Sequence, residues 1–173
     1  MNKFGFISSF LTTVLLFLRF IPLGIYFGSD TYPWLGFNSH LEIPIQLFKI
    51  EGQDIFLWGI FSNNSVNLWF NINYLAFTFL SCLALAAILL SFIGCLKESE
   101  TGKKLIKANF YCLFVIVIFL LVGIPIYSKE ILGGQLGYLD IFNYIDYGFY
   151  IILANLIVAL VAIYTHPVIS YEM

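Results

Sequence analysis

The sequence predicts an all-α integral membrane protein, a bundle of four transmembrane helices with a small antiparallel β-sheet in its first extracellular loop. Hydrophobic residues make up 61% of the chain and charged residues only 10%. Soluble domains contain about 45–50% apolar residues and about 25% charged residues. Four apolar runs each supply the ~20 residues that cross the ~30 Å hydrocarbon layer of a bilayer. Between the first two runs, apolar residues alternate with a period of two, which is typical of a half-buried strand.

The four apolar runs define one membrane domain over residues 1–173. They lie at about 4–27, 72–96, 105–127 and 147–169. The connections are an outer loop 28–71, an inner loop 97–104 and an outer loop 128–146. Each run is expected to be helical, because backbone polar groups in lipid must be satisfied within the segment. The first run lacks a convincing small-x-small cleavage site, so it is interpreted as a spanning helix rather than a signal peptide.

The distribution of lysines predicts the orientation. The inner loop and its flank carry Lys97, Lys103, Lys104 and Lys107. The two outer loops together carry seven acidic and two basic residues. Because Lys and Arg are retained on the cytoplasmic side, the inner loop and both termini are predicted to be cytoplasmic, with the protein in the plasma membrane. The acidic outer loops form either a hydrated rim or an electrostatic surface for a cationic partner.

The outer loop 28–71 is predicted to contain three strands. Apolar residues alternate from Leu41 to Leu47, and "IFLWGIF" and "VNLWFNI" follow as a second and a third strand. "EGQD" and "SNNS" have the composition of the turns that join them. Pro44 cannot donate to a strand ladder, which places the first strand at an edge or a bulge.

Three residues of this loop are candidates for specific roles. Trp69 lies just before the second helix, where aromatic residues gather at the membrane interface. Trp58 lies mid-strand and is expected to pack the sheet onto the helix ends. Asn63 begins an Asn-Asn-Ser triplet that matches the N-glycosylation acceptor pattern, although so short a pattern also arises by chance.

Arg19 has two interpretations, because it lies within the first predicted helix. A charge inside a membrane segment is costly and by default marks a functional group that faces protein or water. Its partner would then be Glu130, Asp146 or a lipid phosphate. The alternative is that its stem extends toward the outer headgroups, roughly 12 Å away at the helix end.

Small and polar residues predict close helix packing at two places. Asn155, Ala159 and Ala162 share one face of the fourth helix, which suits an interhelical hydrogen bond. Gly24 and Gly28 form a G-x-x-x-G pair at the outer end of the first helix, which allows close backbone approach.

The sequence carries no visible catalytic or cofactor motif. His40 and His166 are predicted to lie on opposite sides of the membrane, so they cannot share a metal or haem. Cys82, Cys95 and Cys112 lie in helices, where cysteine mostly behaves as a small hydrophobe. No phosphate loop, paired Cys-x-x-Cys or serine elbow is present, and a net charge of −2 without a basic patch excludes nucleic acid. We therefore expect neither enzymatic activity nor a cofactor or metal.

The assembled plan resembles the claudin-like tetraspan superfamily, which includes claudins and peripheral myelin proteins. The likeness is carried by "LWGIF" in the first outer loop, by "LSFIGCLKES" closing the second helix, and by "VIVIFLLVGIPIYSKEI" in the third. The chain departs from claudins in having no cysteine in that loop and in the order Leu-Trp-Gly around Trp58. The resemblance implies a left-handed four-helix bundle capped by an outer sheet, which works by lateral or trans association.

Three functions are compatible with the sequence. The first is a non-catalytic interaction or structural protein that lies among membrane lipids and binds other integral membrane proteins, or itself, through its outer sheet and helix faces. The second is an accessory subunit of a larger membrane complex, such as a respiratory or oxidase assembly. The third and least favoured is a transporter or channel component that uses Arg19 and the acidic outer rim. We expect the first.

Overall fold

A computed structural model describes residues 1–23, 41–50, 53–62, 65–68, 75–131 and 140–168 of the chain. The helices are α1 (Lys3–Phe17), α2 (Leu75–Leu96), α3 (Glu100–Ile131) and α4 (Tyr147–Tyr164). The strands are β1 (Phe20–Leu23), β2 (Leu41–Pro44), β3 (Phe48–Ile50), β4 (Gln53–Phe56), β5 (Gly59–Ser62) and β6 (Ser65–Leu68). A short 3-10 helix, Asp140–Tyr144, precedes α4.

Within the described part of the chain, three helices are long and apolar enough to cross a membrane. These segments are Phe77–Leu96, Glu100–Val122 and Tyr147–Tyr164. The fourth helix, α1, is also apolar but has only 15 residues, so it extends about 22 Å at 1.5 Å per residue. The predicted helical bundle is therefore confirmed as four helices, three of which have spanning length.

The first helix ends ten residues earlier than predicted, so the expectation of a helix over 4–27 is wrong. Leu18 turns to extended geometry, with φ −103° and ψ 147°, and β1 follows. Pro22, which has no N–H for a helical hydrogen bond and disfavours helical geometry at Ile21, is compatible with this extended continuation. The apolar run continues past this proline to Phe27. Hydrophobicity alone therefore does not indicate where the helix ends. Arg19 consequently lies outside the helix.

The other helices differ from the predicted bounds mainly at their ends. α2 ends at Leu96 and α4 begins at Tyr147, as predicted. α3 begins five residues early because Ser99 caps it, with its Oγ accepting from Gly102 N at 3.3 Å. The predicted inner loop 97–104 is thus shortened to residues 97–99. α4 ends five residues early, three residues before Pro167, a residue type that often follows a helix end.

The predicted small antiparallel sheet is confirmed, but its strands are divided differently. β1 and β2 form a two-stranded antiparallel sheet, and β3 to β6 form a four-stranded meander. β1 comes from the segment predicted as the first helix. "IFLWGIF" is not one strand, because Leu57 and Trp58 form a turn between β4 and β5. This turn is closed by Gly59, whose φ of 153° suits glycine and few other residues.

The helices pack in the cyclic order α1, α2, α3, α4, so that α1 and α3 lie diagonally across the bundle. Large apolar side chains fill its centre, among them Leu80, Leu113, Ile116 and Ile152, each fully buried. Residues 97–99, the start of α1 and the end of α4 lie at one end of the bundle, because Asn2 contacts both Cys95 and Ala162. We call this the link end. The opposite end, where the strands lie, is the strand end.

The segment that joins β2 to β3 attaches the sheets to the bundle. Gly148 N, in the first turn of α4, donates to Gln46 O at 3.0 Å. Gln46 Nε2 donates to Asp146 Oδ2 at 3.1 Å, and Asp146 N donates to Leu47 O at 3.0 Å. A buried loop and the start of α4 therefore satisfy one another's backbone polar groups.

Gly148→Ala is expected to destabilise the protein. The added methyl group would lie 2.1 Å from the Ile45 carbonyl oxygen, and forcing atoms into a packed site costs about 1–3 kcal/mol. This exceeds the gain of up to about 1 kcal/mol from replacing a helical glycine by alanine. Thermal unfolding in detergent measures the loss. Ala154→Val, which adds bulk at an exposed position of α4, is the control. Equal melting temperatures for the two variants would contradict the close approach.

Candidate functional site

Three polar side chains of α1, and that of Asn2 just before it, face the interior of the bundle. Asn2, Ser8, Ser9 and Thr12 are each no more than 5% exposed; we call this set the α1 polar face. The opposite side carries large apolar residues, including Phe10 and Phe17, which are 60% and 64% exposed. A helix in water shows the reverse pattern, with its apolar stripe turned inward. Polar groups inside and aromatic groups outside indicate apolar surroundings.

Two hydroxyl groups of this face bind asparagines, one from the diagonally opposite helix α3 and one from the neighbouring helix α4. Asn109 Nδ2, on α3, donates to Ser8 Oγ at 3.1 Å. Asn155 Nδ2, on α4, donates to Thr12 Oγ1 at 2.8 Å, and Thr12 Oγ1 in turn donates to Ser8 O at 2.9 Å. All four side chains are fully buried. We call Ser8, Thr12, Asn109 and Asn155 the central cluster.

Two further hydrogen bonds join α1 to α2. Ser9 Oγ donates to Ile88 O at 3.1 Å, and Ser91 Oγ donates to Gly5 O at 2.7 Å. Each uses a hydroxyl group to reach a backbone carbonyl of the neighbouring helix. Together with the central cluster, they connect α1 by side-chain hydrogen bonds to all three other helices.

Asn2 fixes α1 at the link end. Its Oδ1 accepts from Gly5 N at 3.1 Å and so caps the helix, as an asparagine at this position often does. Its Nδ2 donates to Ala162 O at 2.7 Å and lies 3.4 Å from His166 Nδ1, while its backbone N donates to Cys95 O at 2.9 Å. One residue thus joins the start of α1 to the ends of α2 and α4.

An ion pair lies next to this contact. The amino group of Met1 donates to Glu98 Oε1. This hydrogen bond, together with the positive charge of the amino group, lowers the pKa of the Glu98 carboxyl. Because Glu98 is exposed to solvent, the pair adds little to stability.

Arg19 lies at the strand end, beyond the end of α1. One of its terminal nitrogens is 3.8 Å from Asp54 Oδ2, and its guanidinium carbon is 3.8 Å from the centre of the Phe61 ring. Asp54 on β4 and Phe61 on β5 are cross-strand partners. The expectation of Arg19 inside a membrane helix is therefore wrong, since it joins α1 to the four-stranded sheet. With a side chain 40% exposed, each contact contributes at most about 1 kcal/mol.

Trp58 lies in the turn between β4 and β5 rather than mid-strand. Its ring stacks on Phe56, with centroids 4.8 Å apart, and it packs against the buried core. Next to it, Leu57 O accepts from Ser81 Oγ of α2 at 3.4 Å. The tip of this hairpin therefore contacts the bundle. Gly24, Gly28, Asn63 and Trp69 lie outside the described residues, as does His40.

Ser8, Ser9 and Thr12 are not among the predicted site residues, although the sequence carries a signal for them. Ser8 and Thr12 are four residues apart, a spacing that places two side chains on one helix face. A polar pair at this spacing within an apolar run indicates a face turned away from lipid. Asn155 lies on the predicted packing face of α4. Its pairing with Thr12 could not be predicted, because the pairing depends on which helices are neighbours.

The described residues contain no group of three or more His, Cys, Asp or Glu side chains that could hold a metal ion. All three cysteines are free. What the central cluster offers is hydrogen-bonding oxygen and nitrogen atoms without a charged group.

No protein-family model, curated protein or solved structure matches this chain. The resemblance to claudin-like tetraspan proteins therefore stays a prediction from the sequence.

Thr12→Val is expected to destabilise the bundle by about 1 kcal/mol, because it leaves the buried Asn155 Nδ2 without its acceptor. Thr13→Val is the matched control. The Thr13 hydroxyl donates to Ser9 O of its own helix, at 2.9 Å, and a bond of this kind stabilises a helix little. Denaturant unfolding in detergent measures both variants, and equal losses would show that the bond between α1 and α4 contributes nothing.

Proposed function

We propose that this chain is a non-catalytic integral membrane protein that associates with copies of itself or with partner membrane proteins. The observation that carries the proposal is the inside-out arrangement of the helices. Polar side chains of α1, α3 and α4 bind one another in the interior, whereas residues such as Leu89 and Ile157 are 59% and 64% exposed. Exposed apolar surface of this extent is covered by lipid or by another protein.

The short first helix supports association rather than an isolated existence in lipid. A helix of about 22 Å does not match a hydrocarbon layer of about 30 Å, and oligomerisation is one way to relieve such a mismatch. Phe6, Phe10 and Phe17 lie on one side of α1, since spacings of four and seven residues return to the same face. All three are exposed. We call them the α1 aromatic ridge and place the association there.

The strand end contributes the second surface. Within the described residues, β6 pairs only with β5, so among those residues the β6 edge of the four-stranded sheet is unpaired. Backbone groups at such an edge bind an extended partner segment by β-augmentation. The lysines of the link end support the orientation with the strands outside the cell and the termini inside.

The association is tested by removing the α1 aromatic ridge. In mild detergent, native mass spectrometry of the full chain is expected to show an oligomer or a complex of defined mass. Phe10→Ala with Phe17→Ala should reduce it to the mass of one chain. Leu89→Ala with Ile157→Ala removes residues of similar exposure from α2 and α4 and serves as the control. A single chain without partners in the unaltered protein contradicts the proposal. If the control pair dissociates the complex to the same extent, the association does not lie specifically at the α1 aromatic ridge.

The orientation is tested by cysteine labelling in intact cells, after the three native cysteines are replaced by serine. Lys49→Cys on β3 is expected to react with a membrane-impermeant maleimide, because the strand end faces outward. Lys97→Cys at the link end should react only after permeabilisation. Both lysines are exposed, so accessibility within the protein is matched. The opposite labelling pattern would reverse the proposed orientation.

A further inference from the structure

The positive charge of the link end is concentrated at the start of α3. Lys103, Lys104 and Lys107 lie within residues 100–107 of this helix. Lys104 and Lys107 are exposed, and Lys103 is partly exposed. Helices α2 and α4 contain no Lys or Arg, and α1 contains only Lys3. The start of α3 is therefore the most basic part of the helical bundle.

Exposed apolar side chains continue this basic segment along the same face of α3. Tyr111, Phe114 and Ile118 follow Lys107 at spacings of four, three and four residues, which return to one side of a helix. All three are exposed, whereas Leu113, on the opposite side, is fully buried. The face thus changes from charged to aromatic to apolar with increasing distance from the link end.

Lys107 and Tyr111 mark where the charged part of the face meets the apolar part. Lys107 Nζ lies 5.9 Å from the centre of the Tyr111 ring, within the range of a cation–π contact. Tyrosine is typical of the membrane–water interface, because its ring suits hydrocarbon and its hydroxyl suits the headgroups. From Lys107 to Ile118 the helix rises about 16 Å, close to the ~15 Å that is half of a ~30 Å hydrocarbon layer. The apolar part therefore has the length of one leaflet.

We infer that this face of α3 binds an anionic phospholipid from the leaflet at the link end. The headgroup phosphate lies against the lysines, and one acyl chain lies along the exposed apolar side chains. We call this surface the α3 lipid face; it consists of Lys103, Lys104, Lys107, Tyr111, Phe114 and Ile118. A free phosphate or an acidic protein segment would complement the lysines alone, whereas a phospholipid complements both parts in the order in which the helix presents them.

The acidic residues of the link end leave this face positively charged. Glu100 lies on the same face, four residues before Lys104, so three lysines stand against one carboxylate. Glu98 is paired with the amino group of Met1. Among the described residues, neither carboxylate forms an ion pair with a lysine of α3. Each lysine near an anionic membrane surface contributes about fivefold to binding, so the excess of lysine favours an anionic over a neutral headgroup.

The inference rests on the proposed location in a membrane, but it does not depend on association through the α1 aromatic ridge. The proposed orientation places the link end at the cytoplasmic leaflet, where anionic phospholipids are abundant. The lipid that the charge of this face favours is therefore present on the side to which the face is assigned.

The first test is a lipid titration of the full chain in mild detergent, followed by native mass spectrometry. Dioleoyl phosphatidylglycerol and dioleoyl phosphatidylcholine share their acyl chains and differ in headgroup charge. The first phosphatidylglycerol molecule is expected to bind at least about tenfold more tightly than the first phosphatidylcholine molecule. Equal affinity for the two lipids would overturn the inference.

The second test removes charge from the α3 lipid face. Lys104→Gln with Lys107→Gln should weaken phosphatidylglycerol binding by about tenfold or more and leave phosphatidylcholine binding unchanged. Lys3→Gln with Lys49→Gln removes the same charge from two exposed positions outside this face, and should leave both affinities unchanged. If the two pairs weaken phosphatidylglycerol binding equally, the net charge of the protein decides the preference and the α3 lipid face is wrong.

The third test addresses the acyl chain. Phe114→Ala with Ile118→Ala should weaken the binding of phosphatidylglycerol at least about threefold, because apolar contact area is lost. The control is Leu160→Ala with Tyr164→Ala, which removes exposed side chains from α4, a helix without lysine. An equal loss in the control pair would overturn the placement of the lipid on α3.

A competition experiment distinguishes a lipid from a free anion. Sodium phosphate should release bound phosphatidylglycerol no more than sodium chloride does at equal ionic strength. Greater release by phosphate would assign the lysines to a free phosphate and overturn the lipid site.

Failure of this inference differs from failure of the proposed association. A single chain that still prefers phosphatidylglycerol contradicts the association and supports the α3 lipid face. An oligomer with equal affinity for the two lipids supports the association and overturns the α3 lipid face.

Discussion

The hydrogen bonds of the α1 polar face are the interaction on which the rest of the structure depends. In lipid, burying an apolar side chain between helices gains little, because the hydrocarbon outside is as apolar as the core. Close packing and interhelical hydrogen bonds must then hold the helices together. α1 provides these bonds to each of the other helices, through Ser9 to α2, Ser8 to α3 and Thr12 to α4. The shortest helix of the bundle is thus the one that connects all four.

The two ends of the bundle are closed by different means. At the link end, Asn2 caps α1 and also binds α2 and α4, which satisfies backbone groups that a helix end leaves unpaired. At the strand end, α1 stops at Phe17 and the chain passes into β1. There the Ile45–Phe48 segment binds the start of α4, and Arg19 contacts the four-stranded sheet. The polar contacts of the helices lie inside, which leaves apolar and aromatic side chains on the outer surface.

The sequence predicts the elements whose signal is local. The end of α2 and the start of α4 follow from hydrophobicity and the flanking charges, and strand alternation locates the sheet region. The first helix is mispredicted because hydrophobicity outweighed Pro22, and the β4–β5 hairpin is missed because Leu57 and Trp58 are apolar turn residues. Asn155 is singled out by its spacing from Ala159 and Ala162. The partner of Asn155 depends on how the helices are arranged, and so does the pairing of Asn109 with Ser8 across the diagonal of the bundle. The sequence of a single segment does not determine that arrangement.

The central claim is that the α1 polar face holds the other helices in place, and a distance between two of them tests it most directly. Spin labels on Leu96 of α2 and Tyr164 of α4, both exposed, report that distance by pulsed electron spin resonance in nanodiscs with the native cysteines replaced. Substituting Asn2→Leu, Ser8→Ala, Ser9→Ala and Thr12→Val together should broaden and shift a narrow distance distribution. An unchanged narrow distribution in this variant would contradict the claim and assign the arrangement of the helices to apolar packing.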